Sequence, residues 1–353
     1  MAGGIGSRFW PMSTAENPKQ FHDILGTGES LLQQTFRRLS LLTDPEKILV
    51  VTHRKYEAQV AEQLPAMPHR NIILEPARRN TAPCIAYAAY RIQSEDPEAN
   101  ILIAPSDHLI TNENEFVRIS ELALKTAEES DYLITLGIKP HRPDTGYGYI
   151  QFEDQDSADA EVKKVKTFTE KPNLEIAQQF LDSGDFLWNA GIFIWSLKTF
   201  KHELGEHQPD LFQNFEQGAD KFGTDEESKF VNAIYPACDN ESIDYGLMEK
   251  SNKVFVIPAD FGWSDLGTWG SLYEHKELDD HGNALVGKKI LSYDSNGNIV
   301  RMPKDKIAVI EGLKEYIVVD TPEALLICKM SNEQMIKGFV NDVKLSFGDE
   351  SGI

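Results

Sequence analysis

Short runs of apolar, largely β-branched residues alternate with helix-compatible stretches through the first third of the chain. That alternation constrains the fold more than any other feature. The runs are Lys47–Thr52, Asn71–Glu75, Asn100–Ala104 and Tyr132–Leu136, each with the length and composition of a strand buried on both faces. Lys55–Leu64, Thr81–Ser94 and Glu115–Glu129 between them carry helical patterning. Gly28–Leu42 precedes them with Leu31, Leu32, Thr35, Phe36, Leu39 and Leu42 on one face. Thr81 is placed to cap its helix, and Pro83 falls in the first turn. Strand–helix units of this length predict an α/β fold, Rossmann-like, with a mixed, mostly parallel sheet flanked by helices.

The pattern then changes. Tyr147–Phe152 and Val162–Phe168 read as strands separated by an acidic loop from Glu153 to Glu161, Phe186–Trp195 is an aromatic run, and Lys253–Ile257 is a last core strand. Beyond Asp280 strands dominate, over Ala284–Ser292, Asn298–Met302, Ile307–Glu311, Tyr316–Asp320 and Ala324–Cys328, before a helix over Asn332–Leu345. One boundary near residue 280 is expected, with a large domain over 1–280 and a small β-rich C-terminal domain over 281–353.

Charge narrows the partners. A net charge of −21 repels a polyanionic backbone, so nucleic acid is not expected. A small anionic substrate needs a local basic pocket instead. No apolar run approaches the roughly 18–20 residues of a membrane span. Cys84, Cys238 and Cys328 are odd in number and lack metal-ligand spacing, which predicts free thiols in a reducing compartment, the cytoplasm.

The densest chemistry lies at the start, in Ala2-Gly3-Gly4-Ile5-Gly6-Ser7-Arg8, followed by Pro18-Lys19-Gln20. Closely spaced glycines let a backbone turn sharply and approach a ligand, and successive exposed N–H groups form an anion-binding concavity. Arg8 adds a planar, permanently charged fork and Lys19 a mobile point charge, a combination suited to a triphosphate. The loop lacks the Gly-Lys-Ser/Thr ending of a Walker-A motif and the third glycine of the dinucleotide fingerprint. Such a loop ordinarily follows a buried strand, so native residues forming one are expected ahead of Ala2.

Two aspartates follow predicted strands. Asp107 lies in Ala104-Pro105-Ser106-Asp107-His108, and Asp265 in Gly262-Trp263-Ser264-Asp265-Leu266-Gly267-Thr268-Trp269. Ligands of open α/β sheets sit beyond the carboxyl ends of strands, and Mg²⁺ is typically held by one or two carboxylates plus substrate phosphates. Capping a helix is an equally good use of Asp107, and His108 reads as a packing neighbour. Three further clusters suit a sugar phosphate: Thr145-Gly146-Tyr147-Gly148-Tyr149, Thr169-Glu170-Lys171-Pro172 and Trp188-Asn189-Ala190-Gly191. Singly, each is equally a turn, a surface ion pair or a core aromatic. Jointly they supply hydroxyl acceptors, a second phosphate cation and an apolar wall.

The motifs Gly3-Gly4-x-Gly6-x-Arg8-x-x-Pro11, Pro18-Lys19-Gln20, Glu75-Pro76-x-x-x-Asn80-Thr81-Ala82-Pro83, Pro105-Ser106-Asp107-His108 and Phe168-x-Glu170-Lys171-Pro172 resemble those of the sugar-nucleotidyltransferase family. Trp188-Asn189-Ala190-Gly191, Ser242-Ile243-Asp244-Tyr245 and Trp263-x-Asp265-x-Gly267-x-Trp269 are similar to its mannose-1-phosphate guanylyltransferase branch. The resemblance implies conversion of GTP and mannose 1-phosphate to GDP-mannose and pyrophosphate, with Mg²⁺ as cofactor.

Carried onto this chain, the resemblance makes Arg8, Lys19, Asp107, Lys171 and Asp265 the catalytic set, with Asp107 and Asp265 holding the metal. Nucleotide binding falls to Ala2, Gly3, Gly4, Gly6, Ser7, Arg8, Lys19, Glu75, Asn80, Thr81, Ser106 and Asp107. The sugar phosphate falls to Gly146, Tyr147, Glu170, Lys171, Asn189 and Gly191. Glu75 has a chemical rationale of its own, since guanine presents adjacent N–H donors to a carboxylate; a turn role before Pro76 is the alternative. The resemblance also implies a partial β-helix after residue 280 that takes part in homodimer contacts, and a single activity without a fused isomerase. The rival expectations are transfer with another nucleotide or hexose 1-phosphate, and a non-catalytic subunit that binds sugar nucleotide.

Overall fold

The computed structural model describes residues 1–4, 6–153 and 161–348, so most of the expected acidic loop lies outside the described residues. Its strands are β1 (Val50–His53), β2 (Ile72–Glu75), β3 (Asn100–Ile103), β4 (Leu109–Ile110), β5 (Leu133–Ile138), β6 (Gly148–Phe152), β7 (Lys163–Glu170) and β8 (Phe186–Ser196). They continue as β9 (Val254–Ala259), β10 (Trp263–Ser264), β11 (Ala284–Val286), β12 (Ile290–Tyr293), β13 (Ile299–Arg301), β14 (Ala308–Glu311), β15 (Tyr316–Asp320) and β16 (Leu325–Lys329). The chain forms two compact units. The first comprises Met1–Gly3, Phe36–Ser106 and Ile110–Trp263; the second comprises Gly4–Thr35, Asp107–Leu109 and the chain from Ser264 onward. A single cut near residue 280 is the simplest sequence division, whereas these units interleave along the chain.

The first unit is built on a six-stranded sheet in the order β3-β8-β5-β9-β7-β6, beside a parallel β1–β2 pair. Strands β3, β5, β6 and β9 run one way, and β7 and β8 run against them. The sheet is therefore mixed, with most strands sharing a direction. Side-chain alternation divides β8 cleanly between the two faces. Leu187, Phe193 and Trp195 enter one core, while Phe186, Trp188, Ala190, Ile192 and Ile194 enter the other. Helix Thr81–Gln93 covers the first face with Ala82, Ile85, Ala86 and Ala89. Helix Glu113–Glu129 covers the second with Phe116, Ile119, Ala123 and Ala127, spaced as one helical stripe. Both faces are thus buried, as the unbroken apolar runs require.

Backbone hydrogen bonds hold Met1 and Ala2 on two sides. The Met1 amino group donates to Ala104 O at 2.9 Å and Ser106 N to Met1 O at 3.0 Å. Ala2 N donates to Val51 O at 2.8 Å, and Thr52 Oγ1 donates to Ala2 O at 3.0 Å. These bonds are the anchor of the glycine loop.

In the second unit, β11, β13 and β15 pair in parallel, β16 adds antiparallel to β15, and β12 pairs in parallel with β14. Two parallel faces formed by successive turns of chain are the geometry of a partial β-helix. Ala284–Ser292, which reads as one strand, divides into β11 and the first residues of β12 on different faces. Buried asparagines secure the corners. Asn298 Nδ2 donates to Asn283 Oδ1 at 2.8 Å and to Leu313 O at 2.9 Å, and Asn283 Nδ2 donates to Ser295 O at 2.9 Å. Helix Ile336–Phe347 follows the strands, preceded by a tighter turn over Met330–Met335. Among the described residues, no helix is long and apolar enough to cross a membrane.

Candidate active site

In the second unit, the glycine loop and Lys19 are fitted to each other. Gly6 has φ +70°, and a Cβ there would lie 2.6 Å from Lys19 Cβ, so both conformation and space require glycine. Ser7–Phe9 forms a single tight turn that buries Phe9, whose ring centroid is 4.9 Å from that of Trp269. Lys19, 3% exposed, passes 5.8 Å from the Phe9 ring centre. Its Nζ lies 3.0 Å from Asp107 Oδ2 and donates to Asp265 O at 2.7 Å and Leu266 O at 3.0 Å. An ammonium has three protons, and here three acceptors converge on it. The sequence proposed Lys19 for a phosphate; in the structure its ammonium is engaged by Asp107 and the 265–266 backbone.

The two aspartates are held differently. Burial alone would raise the Asp107 carboxyl, but the Lys19 ammonium and His108 outweigh it and keep the group below the usual aspartate value. His108 Nε2 is 3.9 Å from Asp107 Oδ1. Asp265 Oδ1 accepts from Gly267 N at 2.8 Å, and a Cβ on Gly267 would come within 2.5 Å of Oδ2. Glycine at 267 therefore keeps space around that carboxylate. Arg8 Nε is buried and has no acceptor among the described residues.

Of the proposed nucleotide residues, the first unit holds Ala2, Gly3, Glu75, Asn80, Thr81 and Ser106. A Cβ on Gly3 would stand 3.5 Å from Glu75 Oε2, while Glu75 Oε1 accepts from the Tyr235 hydroxyl. Burial raises the Glu75 carboxyl and the Tyr235 hydrogen bond opposes the shift. Asn80, at φ +66°, caps helix Thr81–Gln93 through Oδ1, which accepts from Thr81 N at 2.9 Å. Thr81 Oγ1 accepts from Ile243 N at 2.8 Å, tying this cap to the segment that carries Asp244.

Four polar side chains proposed or quoted from separate motifs meet in the same unit. Glu170, at the end of β7, pairs with the Lys171 ammonium, and the register sets it opposite Gly148. A Cβ on Gly148 would overlap Glu170 Oε2, so this glycine makes room for the carboxylate. Asn189 sits where the β5–β8 register shifts, with Gly191 at φ +67°. Its Oδ1 accepts from Thr135 Oγ1 and Gly191 N, each at 3.0 Å, and its Nδ2 donates to Asp244 Oδ1 at 2.8 Å. The carboxyl of Asp244 is pushed up to about 6, first by burial and then by Glu170. Gly146 N donates to Asp144 Oδ1 at 2.8 Å, shaping the turn before Tyr147. The Tyr147 ring packs edge-on against Trp188 and Trp263, at 5.0 and 5.1 Å.

Asp244 and Thr135 were not assigned a role from sequence. Asp244 opens a five-residue π-helical turn, Asp244–Met248, a form often found at functional sites. Its signal was the motif around it. Thr135 gave none, because a threonine inside an apolar strand is indistinguishable from core.

The family model for nucleotidyl transferases matches residues 1–281. The chain belongs to the nucleotidyl transferase family. A second model, the mannose-phosphate isomerase/GMP-like β-helix domain, matches residues 288–343, in agreement with the partial β-helix of this transferase. The transferase is 34% identical to a mannose-1-phosphate guanylyltransferase of Escherichia coli, over 98% of this chain and 75% of that protein. It is 37% identical to a mannose-1-phosphate guanylyltransferase of Salmonella montevideo, over 98% and 73%. A crystal structure from Thermus thermophilus, described as a mannose-1-phosphate geranyltransferase, superposes with a TM-score of 0.87 at 27% identity, covering 98% of each chain.

Proposed function

We propose that this transferase moves a guanylyl group from GTP to α-D-mannose 1-phosphate, giving GDP-mannose and pyrophosphate. The observation that carries the reading is the convergence of the Asp107 carboxylate and the 265–266 backbone on the Lys19 ammonium, packed against Gly6 of the glycine loop. The names of the bacterial relatives favour guanine and mannose over other bases and sugars.

The sugar phosphate is already an anionic nucleophile, so the reaction needs no general base. One of its oxygens attacks the α-phosphorus in line; the new O–P bond forms as the bond to the β-phosphate bridging oxygen breaks, and pyrophosphate leaves with that electron pair. The barrier lies in bringing anions together, and positioning plus electrostatics lower it. Arg8 supplies donors to the leaving pyrophosphate, consistent with its unpaired buried Nε. Lys19 adds charge there and fixes Asp107 and the 265–266 turn. Lys171 aligns the nucleophile, while Glu170, Asn189, Gly146, Tyr147 and Gly191 hold the hexose. Asp244 joins that set through its hydrogen bond from Asn189. Ala2, Gly3, Gly4, Ser7, Asn80, Thr81 and Ser106 bound the nucleotide, and Glu75 reads the guanine edge.

The donor set suits Mg²⁺. Asp107 stays ionised beside Lys19, and Gly267 leaves room around Asp265, giving two hard carboxylates of the kind this ion takes alongside phosphates. Asp107 and Asp265 would hold it, and when bound it neutralises charge on the phosphates.

On this reading residues 1–280 carry catalysis and 281–353 the β-rich appendage. Leu291 on β12 stands beside Val309 on β14 in register, and both are exposed, as is Tyr293. An apolar face of this kind is what a second copy would cover in a homodimer. Three buried free cysteines support a reducing, cytoplasmic setting. A pyrophosphate-release assay with GTP, ATP or UTP against mannose and glucose 1-phosphates tests the reading. GTP with mannose 1-phosphate is expected to be fastest; a faster alternative pair would reassign the substrates.

A further inference from the structure

Strand β5 is buried along its whole length, and Thr135 is its one polar side chain, with no exposed surface. A buried hydroxyl is costly unless it is hydrogen-bonded. Its partner here is set by an irregularity in the sheet. Strand β8 runs antiparallel to β5 with Thr135 opposite Phe193, but Asn189 falls opposite Gly137, where an unbroken ladder would place it opposite Lys139. The extra residues of β8 draw Asn189 toward Thr135, and strand positions two apart, such as 135 and 137, share a face. Thr135 Oγ1 lies 3.0 Å from Asn189 Oδ1, with Ile192 O farther away at 3.2 Å.

These contacts fix which way the Asn189 amide points. Its Oδ1 accepts from the Thr135 hydroxyl and from Gly191 N, each at 3.0 Å, which uses both lone pairs. A flipped amide would turn its NH₂ group onto the Gly191 N–H, donor against donor. Nδ2 therefore points the other way, where one of its protons goes to Asp244 Oδ1 at 2.8 Å. Among the described residues, the other proton has no acceptor and Asp244 Oδ2 receives no side-chain donor. Neither Asn189 nor Asp244 is fully buried, so both atoms can be reached. Glu170 stands beside them: a Cβ on Gly148, which would overlap Glu170 Oε2, would lie 3.4 Å from Asn189 Cβ.

We propose that Thr135 is a positioning residue for the hexose: its hydroxyl holds the Asn189 amide so that Nδ2–H and Asp244 Oδ2 present a donor beside an acceptor to the sugar's hydroxyls. A hydroxyl accepts and donates at once, so an N–H next to a carboxylate oxygen meets both needs. A site built this way rejects an analogue that lacks the hydroxyl, because its own polar groups are left unpaired. Thr135, wholly buried, touches no substrate and acts through Asn189. The inference rests on the reading of Glu170, Asn189 and Gly191 as the hexose site.

The test compares wild type, Thr135→Val, Thr135→Ala and Thr135→Ser in steady-state assays with GTP, Mg²⁺ and either mannose 1-phosphate or each of its monodeoxy analogues. Circular dichroism and melting temperature identify the folded variants. Thr135→Val and Thr135→Ala delete the hydroxyl, with and without the volume of the branch, and should raise KM for mannose 1-phosphate roughly two- to tenfold. Their kcat and their KM for GTP should change little. Thr135→Ser keeps the hydroxyl and should restore the wild-type KM. With the analogue that lacks the hydroxyl read by Asn189 and Asp244, wild type and Thr135→Val should share one KM, because the interaction that Thr135 supports is already gone. An unchanged KM in folded Thr135→Val and Thr135→Ala, a Thr135→Ser that behaves like them, or a KM raised equally for mannose 1-phosphate and every analogue would overturn the inference alone. No turnover of mannose 1-phosphate by wild type would overturn the hexose reading, and the inference with it.

Discussion

Replacing Lys19 by methionine keeps an unbranched buried side chain and deletes its charge. The wild-type ammonium, on a side chain only 4% exposed, satisfies the Asp107 carboxylate at 3.0 Å and the carbonyls of Asp265 and Leu266 at 2.7 and 3.0 Å. Removing one partner of a buried ion pair costs about 3–5 kcal/mol. The Asp107 side chain is 31% exposed, so water recovers part of its solvation and the loss falls near the lower end, about 3 kcal/mol. In metal-free urea titrations at pH 7, the midpoint should fall by up to roughly 1 M. The acid limb supplies a second readout. Burial works against the Asp107 charge, but Lys19 and His108 prevail and hold its folded pKa below the ordinary 3.8. Such a depressed carboxyl stabilises the fold above its unfolded pKa and loses that contribution as pH falls through the folded value. The gap between wild type and Lys19→Met should therefore narrow in acid. An unchanged midpoint at pH 7, or a gap that widens in acid, would show that the Lys19–Asp107 pair does not carry this stability.

Three further substitutions separate the proposed roles. Asp265→Ala should lower turnover on the order of a thousandfold at saturating Mg²⁺ in initial-rate assays; near-normal turnover would remove it from the metal site. Asp244 binds its proton more tightly folded than unfolded, so its own contribution to stability should fall as pH rises from 3.8 to about 6. Thermal melts of Asp244→Asn should lack that slope, and a slope equal to wild type would assign it to another group. Glu75→Gln should relax the preference for GTP over ATP in competing-substrate assays, whereas full retention would return Glu75 to a structural role beside Tyr235.

The strand–helix alternation was legible because runs such as Asn100–Ala104 and Tyr132–Leu136 are too short for helices and too apolar for one-sided strands. Their bounds agree with β3 and β5 to within two residues. Strand direction was not legible to the same degree. The aromatic run of β8 declares burial on two faces, but nothing local in Phe186–Trp195 says that it runs antiparallel between β3 and β5. The site divides in the same way. Glycines marked in the sequence where the backbone is closely approached, and the structure supplies what approaches it: Lys19 at Gly6, Glu170 at Gly148, Asp265 at Gly267. The partners of those side chains were hidden, because the Lys19 contact to Asp265 spans 246 residues and uses a backbone carbonyl, which no residue type can signal. Asp244 was visible as part of a motif, yet its raised pKa comes from tertiary burial and from Glu170.

The proposed reaction transfers the α-phosphate with its guanosine to the sugar phosphate. Incubating the enzyme with mannose 1-phosphate, Mg²⁺ and GTP labelled at either the α- or the γ-phosphate follows both fragments at once. α-Label should enter GDP-mannose in step with the appearance of γ-label in pyrophosphate. Release of α-label as GMP, or of γ-label as inorganic phosphate, without formation of the sugar nucleotide would contradict it.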